Sequence, residues 1–152
     1  MGIEDRLKEL GLVLPTPPAP VAAYVPAVQT GSLVFVSGQG PIRDGKPAYS
    51  GRLGAELTLE EGKEAARLAM LNCLAQLKGY LGSLDRVKRI VKVLGFVACT
   101  EEFDQQPFVI NGGSELLEQV LGERGKHARS AVGTNKLPFG IPVEIELIAE
   151  VE

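Results

Sequence analysis

Arg129, Glu144, Tyr24, His127 and the run Ser37-Gly38-Gln39-Gly40 are the parts of this chain with chemistry to offer. Arg129 stands near the head of ARSAVGTNKLPFGIPVEIELIAEVE, which reads as a strand, a turn around Leu137-Pro138 and a second strand. By strand alternation it shares a face with Ala131 and Gly133, whose small side chains leave open space beside it. A guanidinium facing such space is a carboxylate receptor, because its fork donates two parallel hydrogen bonds. The competing reading is an edge-strand arginine with small neighbours by chance. Glu144 is able to orient a water or hold a substrate nitrogen, since a carboxylate near a cation stays ionised and accepts hydrogen bonds. Against that, Glu144, Glu146, Glu150 and Glu152 alternate, and such a row usually marks a solvated strand face. Tyr24 brings a phenol to a pocket mouth or packs half-buried. His127 reads as a surface or interface histidine rather than a catalytic base. The Ser37–Gly40 run ends a strand and lets backbone approach a ligand closely. It carries neither GxGxxG nor GK[ST], so it is not a nucleotide fingerprint.

Composition narrows the chemistry further. The 152 residues suit one domain, 1–152, with a hydrophobic content of 45% that excludes disorder. A net charge of −3 argues against non-specific nucleic-acid binding, which needs a basic face. Cys73 and Cys99 sit inside apolar patterns and read as buried free thiols. With one histidine and no Cys/His cluster, nothing suggests a metal or a cofactor. The chain shows no apolar run of membrane-spanning length and no signal-peptide layout, so the expectation is a cytoplasmic protein without a membrane partner.

The elements that must position these residues are legible in outline. Ile3, Leu7 and Leu10 make a short amphipathic helix stopped by Gly11, and PTPPAP is a stiff connector, so residues 1–20 form an N-terminal extension. Two strands flank a Thr30-Gly31-Ser32 turn, the second running from Leu33 to Ser37, and a glycine- and proline-rich loop follows to Leu57. Thr58 and Glu61 form a capping box for a helix whose buried face carries Ala66, Met70, Cys73, Leu74, Leu77 and Leu81. RIVKVLGFVAC is a central strand. Asp104 is expected to cap a second helix through Leu121, with a kink at Gly112-Gly113, which cost about 2 kcal/mol of helix propensity against two alanines. In the last strand Val143, Ile145, Leu147, Ala149 and Val151 share one face. The order β-β-(β)-α-β-α-β-β predicts an α+β fold, a mixed sheet with two helices packed on one face. The other face needs a cover, which an oligomer would supply.

Five blocks in order, LVFVSGQGP, EAARLAMLNCLAQL with Asn72, RIVKVLGFVAC, the helix bearing Asn111, and RSAVGTNKLPFGIPVEIELIAEV, resemble the RidA/YjgF family, also known as L-PSP endoribonuclease-like proteins. The resemblance runs from about Tyr24 to the C-terminus. It implies a chorismate-mutase-like fold and a homotrimer with a ligand pocket at each subunit interface. It further implies hydrolysis of 2-imino acids to 2-oxo acids and ammonia, with no cofactor or metal and no nucleic-acid partner. Arg129 matches the arginine that binds the substrate carboxylate; Tyr24, Ser37, Gly38, Asn111 and Glu144 match other pocket positions. The expected division of labour has Arg129 clamp the carboxylate while Glu144, with a backbone carbonyl near Ala131, positions the water and Tyr24 shapes the mouth. Ala131 stands where a cysteine or larger residue is frequent, and His127 stands where proline is common. Gly133, Thr134 and Pro26 also depart from the pattern. The departures mark a divergent branch and keep open a non-catalytic trimer that binds a small carboxylate. A ribonuclease or translation inhibitor ranks last.

Overall fold

The computed structural model describes residues 2–20 and 22–152; Met1 and Val21 lie outside the described residues. Among the described residues three α-helices and seven strands follow in the order α1 (Ile3–Glu9), β1 (Ala27–Thr30), β2 (Leu33–Gln39), β3 (Ile42–Arg43), β4 (Lys46–Pro47), α2 (Leu59–Leu81), β5 (Val87–Ala98), α3 (Gln106–Leu121), β6 (Ala128–Thr134) and β7 (Val143–Val151). Five strands form one sheet in the order β1-β2-β7-β5-β6, while β3 and β4 make a separate hairpin in the loop after β2. The β5–β6 pair is parallel and the remaining pairs of the large sheet are antiparallel. The parallel pair arises because α3 carries the chain back across the sheet between them.

Helices α2 and α3 cover one face. The capping box forms as the sequence requires: the Glu61 amide donates to Thr58 Oγ1 at 3.2 Å and the Thr58 amide donates to Glu61 Oε1 at 2.9 Å. The six apolar residues expected on the α2 face are all buried, against Val143, Ile145, Leu147, Ala149 and Val151 of β7. Cys73 and Cys99 are buried free thiols. Among the described residues no helix covers the opposite face of the sheet. Register places Val28, Phe35, Ile148, Leu94, Phe96 and Val132 there, with Phe35 42% and Val28 53% exposed.

Three local expectations need correction. First, α3 does not kink. It runs unbroken from Gln106 to Leu121, and a Cβ on Gly112 would stand 2.0 Å from the Lys63 carbonyl oxygen of α2. Gly112 is there for backbone-to-backbone contact between the helices, a tertiary demand that outweighs its poor propensity. Second, Asp104 does not cap α3. The N-cap is Gln105, and the approach is closed instead by Gln106 Nε2, which donates to the Phe103 carbonyl at 2.9 Å. Third, Gly38 does not end β2 but lies within it, where three steps from Val36 to Gln39 oppose two from Leu147 to Ile145. That mismatch is a β-bulge.

The N-terminal segment is part of the core. Ile3 and Leu7 are buried, the Ile3 amide donates to Asp85 Oδ1 at 2.8 Å, and Arg6 Nε donates to the Gln119 carbonyl at 3.0 Å at the far end of α3. Gln76 of α2 holds the proline connector through the Pro18 carbonyl at 2.8 Å.

Candidate functional site

Arg129 lies on β6, the edge strand, opposite Val93 and therefore on the helix-covered side of the sheet. Its guanidinium reaches under α3. Nη1 donates to Asn111 Oδ1 at 2.8 Å and to Ser114 Oγ at 3.2 Å, and Nη2 donates to the Pro107 carbonyl at 3.3 Å. All three acceptors are neutral. None of the ion pairs among the described residues includes Arg129. Partial burial lowers its pKa, because desolvation disfavours the cation and no carboxylate stands by to restore it. Nε–H and one hydrogen of Nη2 have no partner within the described residues, which leaves donors for the fork that a carboxylate takes.

The free edge of β6 adds backbone groups to this fork. The Cys99 amide donates to the Thr134 carbonyl at 3.0 Å, which turns the Thr134 backbone groups toward β5. By alternation Ser130 and Val132 point the same way, so the amides and carbonyls of Arg129, Ala131 and Gly133 face outward. The Ala131 side chain packs half-buried against the core. Gly133 leaves less room than its type suggests: a Cβ there would sit 2.9 Å from Cys99 Sγ and from Gln106 Nε2, so those groups already fill the space.

His127 is not a free surface histidine. It is half-buried, with Nδ1 2.6 Å from the Gly125 carbonyl and Nε2 2.9 Å from Ser114 Oγ. Ser114 and the Pro107 carbonyl were invisible as site members from residue type. Ser114 carries one usable signal: it follows Asn111 at i+3, so both lie on one helix face.

Tyr24, Ser37, Gly38 and Glu144 form a second group. Ser37 Oγ donates to the Val25 carbonyl at 2.7 Å and the Ser37 amide donates to the Pro26 carbonyl at 2.9 Å, tying the segment after the connector to β2. Tyr24 beside that tie is 45% exposed. The Glu144 side chain lies over Gly38, where a Cβ would come within 2.9 Å of its carboxylate. Burial, and then the nearby charge of Glu146, raise the pKa of Glu144 above the ordinary glutamate range. Asn72 holds the loop that follows: its Nδ2 donates to the carbonyls of Gly40 at 2.9 Å and Ile42 at 3.0 Å.

The two groups do not meet within one chain. Glu144 pairs across β5 with Phe96 and hence with Val132, on the helix-free face, whereas Arg129 shares the opposite face with Val93 and Leu147. Gly38 on β2 is three strand spacings from β6, about 14 Å. A cavity of about 410 Å³ opens near Arg52, Ala98, Lys136, Leu137 and Ile141, and it includes neither Arg129 nor Glu144. Among the described residues no three His, Cys, Asp or Glu side chains converge where a metal could sit, and no helix is long and apolar enough to cross a membrane.

Comparisons with known proteins agree with this architecture. Protein TCP17 of Trypanosoma cruzi is 45% identical over 149 residues, covering 97% of this chain and 93% of that protein. The crystal structure of Atu1372, a protein of unknown function from Agrobacterium tumefaciens, superposes with a TM-score of 0.93 at 47% identity, over 99% of this chain and 92% of that one. The match therefore takes in the N-terminal helix and connector. E. coli TdcF, solved with bound serine, gives a TM-score of 0.64 at 27% identity over 90% of this chain and 94% of that one. Residues 4–151 match the family described as "YjgF/chorismate_mutase-like, putative endoribonuclease". The chain belongs to the YjgF/chorismate mutase-like family, with its mixed α+β sheet.

Proposed function

We propose that this protein hydrolyses 2-imino acids to 2-oxo acids and ammonia, at sites completed between subunits of a homotrimer. The observation that carries the reading is Arg129: a partly buried cation held by three neutral acceptors, with donors left over and no counter-ion among the described residues. Desolvating a charge without pairing it is costly, and a site that does so is built for an anion that arrives from outside. The serine in the TdcF structure is a small α-carboxylate of the expected class. Because Arg129 and Glu144 occupy opposite sheet faces, the substrate of one Arg129 meets Tyr24, Gly38 and Glu144 of a neighbouring copy. Docking of three copies also covers the apolar side of the sheet.

The reaction asks little of the protein. In R–C(=NH2⁺)–COO⁻ the protonated imine is already electrophilic. Arg129 takes the carboxylate, and the free Ala131 carbonyl and Glu144 orient a water against C2. The water oxygen bonds to C2 and one of its protons passes through Glu144 to the nitrogen. The C–N bond then breaks as the remaining hydroxyl proton is lost by way of Glu144 to the departing ammonia and the carbonyl forms, releasing R–CO–COO⁻ and NH4⁺. The test is ammonia release from 2-iminobutyrate generated in situ, with and without the protein. No acceleration over water would remove the proposal.

A second reading, a carboxylate-binding trimer without turnover, is favoured by the small side chain of Ala131; the strand itself stays in unbroken register on β5 through Gly133 and Thr134. Thermal stabilisation by 2-oxobutyrate without ammonia release would select it. The acidic net charge of −3 leaves ribonuclease action least supported.

Two predictions arise here. Gly38→Ala displaces the Glu144 carboxylate but meets only the end of a flexible side chain. Deamination should fall about tenfold while the melting temperature stays within a few degrees of wild type, roughly 1 kcal/mol or less. Thermal melts and initial rates on the same preparation check both halves. For pH, the water-orienting carboxylate must be ionised, so its raised pKa puts the acid limb of kcat/KM above the ordinary glutamate range. Glu146→Gln removes the smaller of the two causes and should move that limb down. The stability linkage has the opposite sign: a raised folded-state pKa contributes stability below the unfolded value and loses it as pH climbs through the folded one.

A further inference from the structure

The hydrogen bonds behind Arg129 have a forced direction. The Gly125 carbonyl only accepts, so the 2.6 Å contact places the hydrogen on His127 Nδ1. In a neutral imidazole Nε2 is then a bare lone pair, 2.9 Å from Ser114 Oγ. Ser114 has one hydroxyl hydrogen, and it is drawn to Nε2. The oxygen lone pairs that remain face Arg129 Nη1, 3.2 Å away, and a guanidinium only donates. The chain begins at an obligate acceptor and ends at an obligate donor, so every link has one orientation. With the other tautomer, Nε2–H would compete with Arg129 for the same oxygen, and Nδ1 would turn a lone pair toward the Gly125 carbonyl.

We propose that Ser114 and His127 are positioning residues that set which edge of the Arg129 guanidinium is offered to substrate, a role that rests on reading Arg129 as the carboxylate clamp. Ser114 and Asn111 both accept from Nη1. That commitment leaves the Nε–H and Nη2–H edge for the ligand, beside the outward backbone groups of Ala131. His127 acts at one remove. It touches neither the guanidinium nor the substrate, and it keeps the Ser114 hydrogen turned away from Arg129. The histidine that departs from the family resemblance is thereby a working part of the site, coupled to the serine one turn beyond Asn111.

The chain has one histidine, so ¹⁵N-resolved NMR of the imidazole in the ligand-free protein reads the tautomer without assignment work. In the neutral ring a hydrogen on Nδ1 and a bare Nε2 is the expected result; an Nε2–H tautomer overturns the proposal. Variants then separate positioning from packing. Ser114→Ala and His127→Leu should raise KM for the imino acid, and Kd for 2-oxobutyrate by calorimetry, about tenfold with kcat within about twofold. Ser114→Thr and His127→Gln keep the hydroxyl and the acceptor, and should restore wild-type values at comparable melting temperatures. Tight binding by Ser114→Ala and His127→Leu, or loss in all four variants alike, overturns it. If wild-type protein binds 2-oxobutyrate but releases no ammonia, catalysis fails and positioning is judged by Kd alone. If it does neither, the carboxylate reading fails as well, and this proposal with it.

Discussion

Arg129→Ala should abolish most of the deamination, lowering kcat/KM about a thousandfold. The side chain is expected to supply the main attraction for the substrate carboxylate in a site partly removed from water, where losing one member of a hydrogen-bonded charge pair costs about 2–5 kcal/mol. A factor of a thousand is about 4 kcal/mol, within that range. The folded protein should suffer only modestly: the cation has no internal counter-ion to orphan and its burial is itself unfavourable, which offsets the donor lost to Asn111, Ser114 and the Pro107 carbonyl. A melting temperature within a few degrees of that of wild type is the expected companion. Arg129→Lys keeps the charge but loses the fork and the reach to both Asn111 and Ser114, so it should recover at most about a tenth of wild-type activity. The measurement is ammonia release at several imino-acid concentrations, paired with 2-oxobutyrate binding. Equal rates for wild type and Arg129→Ala would take Arg129 out of the mechanism and leave the uncompensated guanidinium without a purpose.

Gly112→Ala should strongly destabilise the fold. On propensity alone an alanine in mid-helix gains about 1 kcal/mol over glycine. The contact reverses the sign. The new methyl would stand 2.0 Å from the Lys63 carbonyl oxygen and 2.8 Å from its carbon, both backbone atoms of α2 that no rotamer change relieves. The helices must separate, opening the layer in which Met70, Ile110 and Ile145 are buried. A loss of about 3 kcal/mol or more is expected, at the upper end for overpacking, which in a chain of 152 residues corresponds to roughly 10 °C in melting temperature. Gly113→Ala is the control. Its nearest atoms are the ends of the Met70 and Ile145 side chains at 3.2 Å, with the Ala66 carbonyl at 3.3 Å, so the loss should stay near 1 kcal/mol. Denaturant titration of the two variants distinguishes them. The same substitution should weaken carboxylate binding, because α3 carries Asn111, Ser114 and Pro107 to Arg129.

Much of the architecture is written in local periodicity. The capping box at Thr58 and Glu61, the buried face of α2 and the alternation of β7 all follow from spacings within a single element, and the structure keeps each of them. Where a residue answers to a partner far away in the chain, local reading misleads. Gly112 and Gly113 signal a kink until α2 is laid against them, and Gly133 signals open space until Cys99 and Gln106 fill it. Asp104 misleads for a local reason instead: it has the right type for a cap, yet Gln106 closes that turn through the Phe103 carbonyl three residues back.

The candidate site divides along the same line. Residue type and order within β6 and β7 determined that Arg129, Ala131 and Gly133 share a face and that Glu144 points away from Val143 and Ile145. Alternation relates positions along one strand and carries no information about how two strands align. Only the register of β6 on β5 and of β5 on β7 decided that the arginine goes beneath α3 while the glutamate goes to the helix-free side. Side-chain hydrogen bonding to Asn111 and Ser114 is likewise decided in three dimensions, since 18 and 15 residues separate those partners from Arg129. A strand's pleat is a property of its own backbone, whereas the meeting of two side chains depends on every element packed between them.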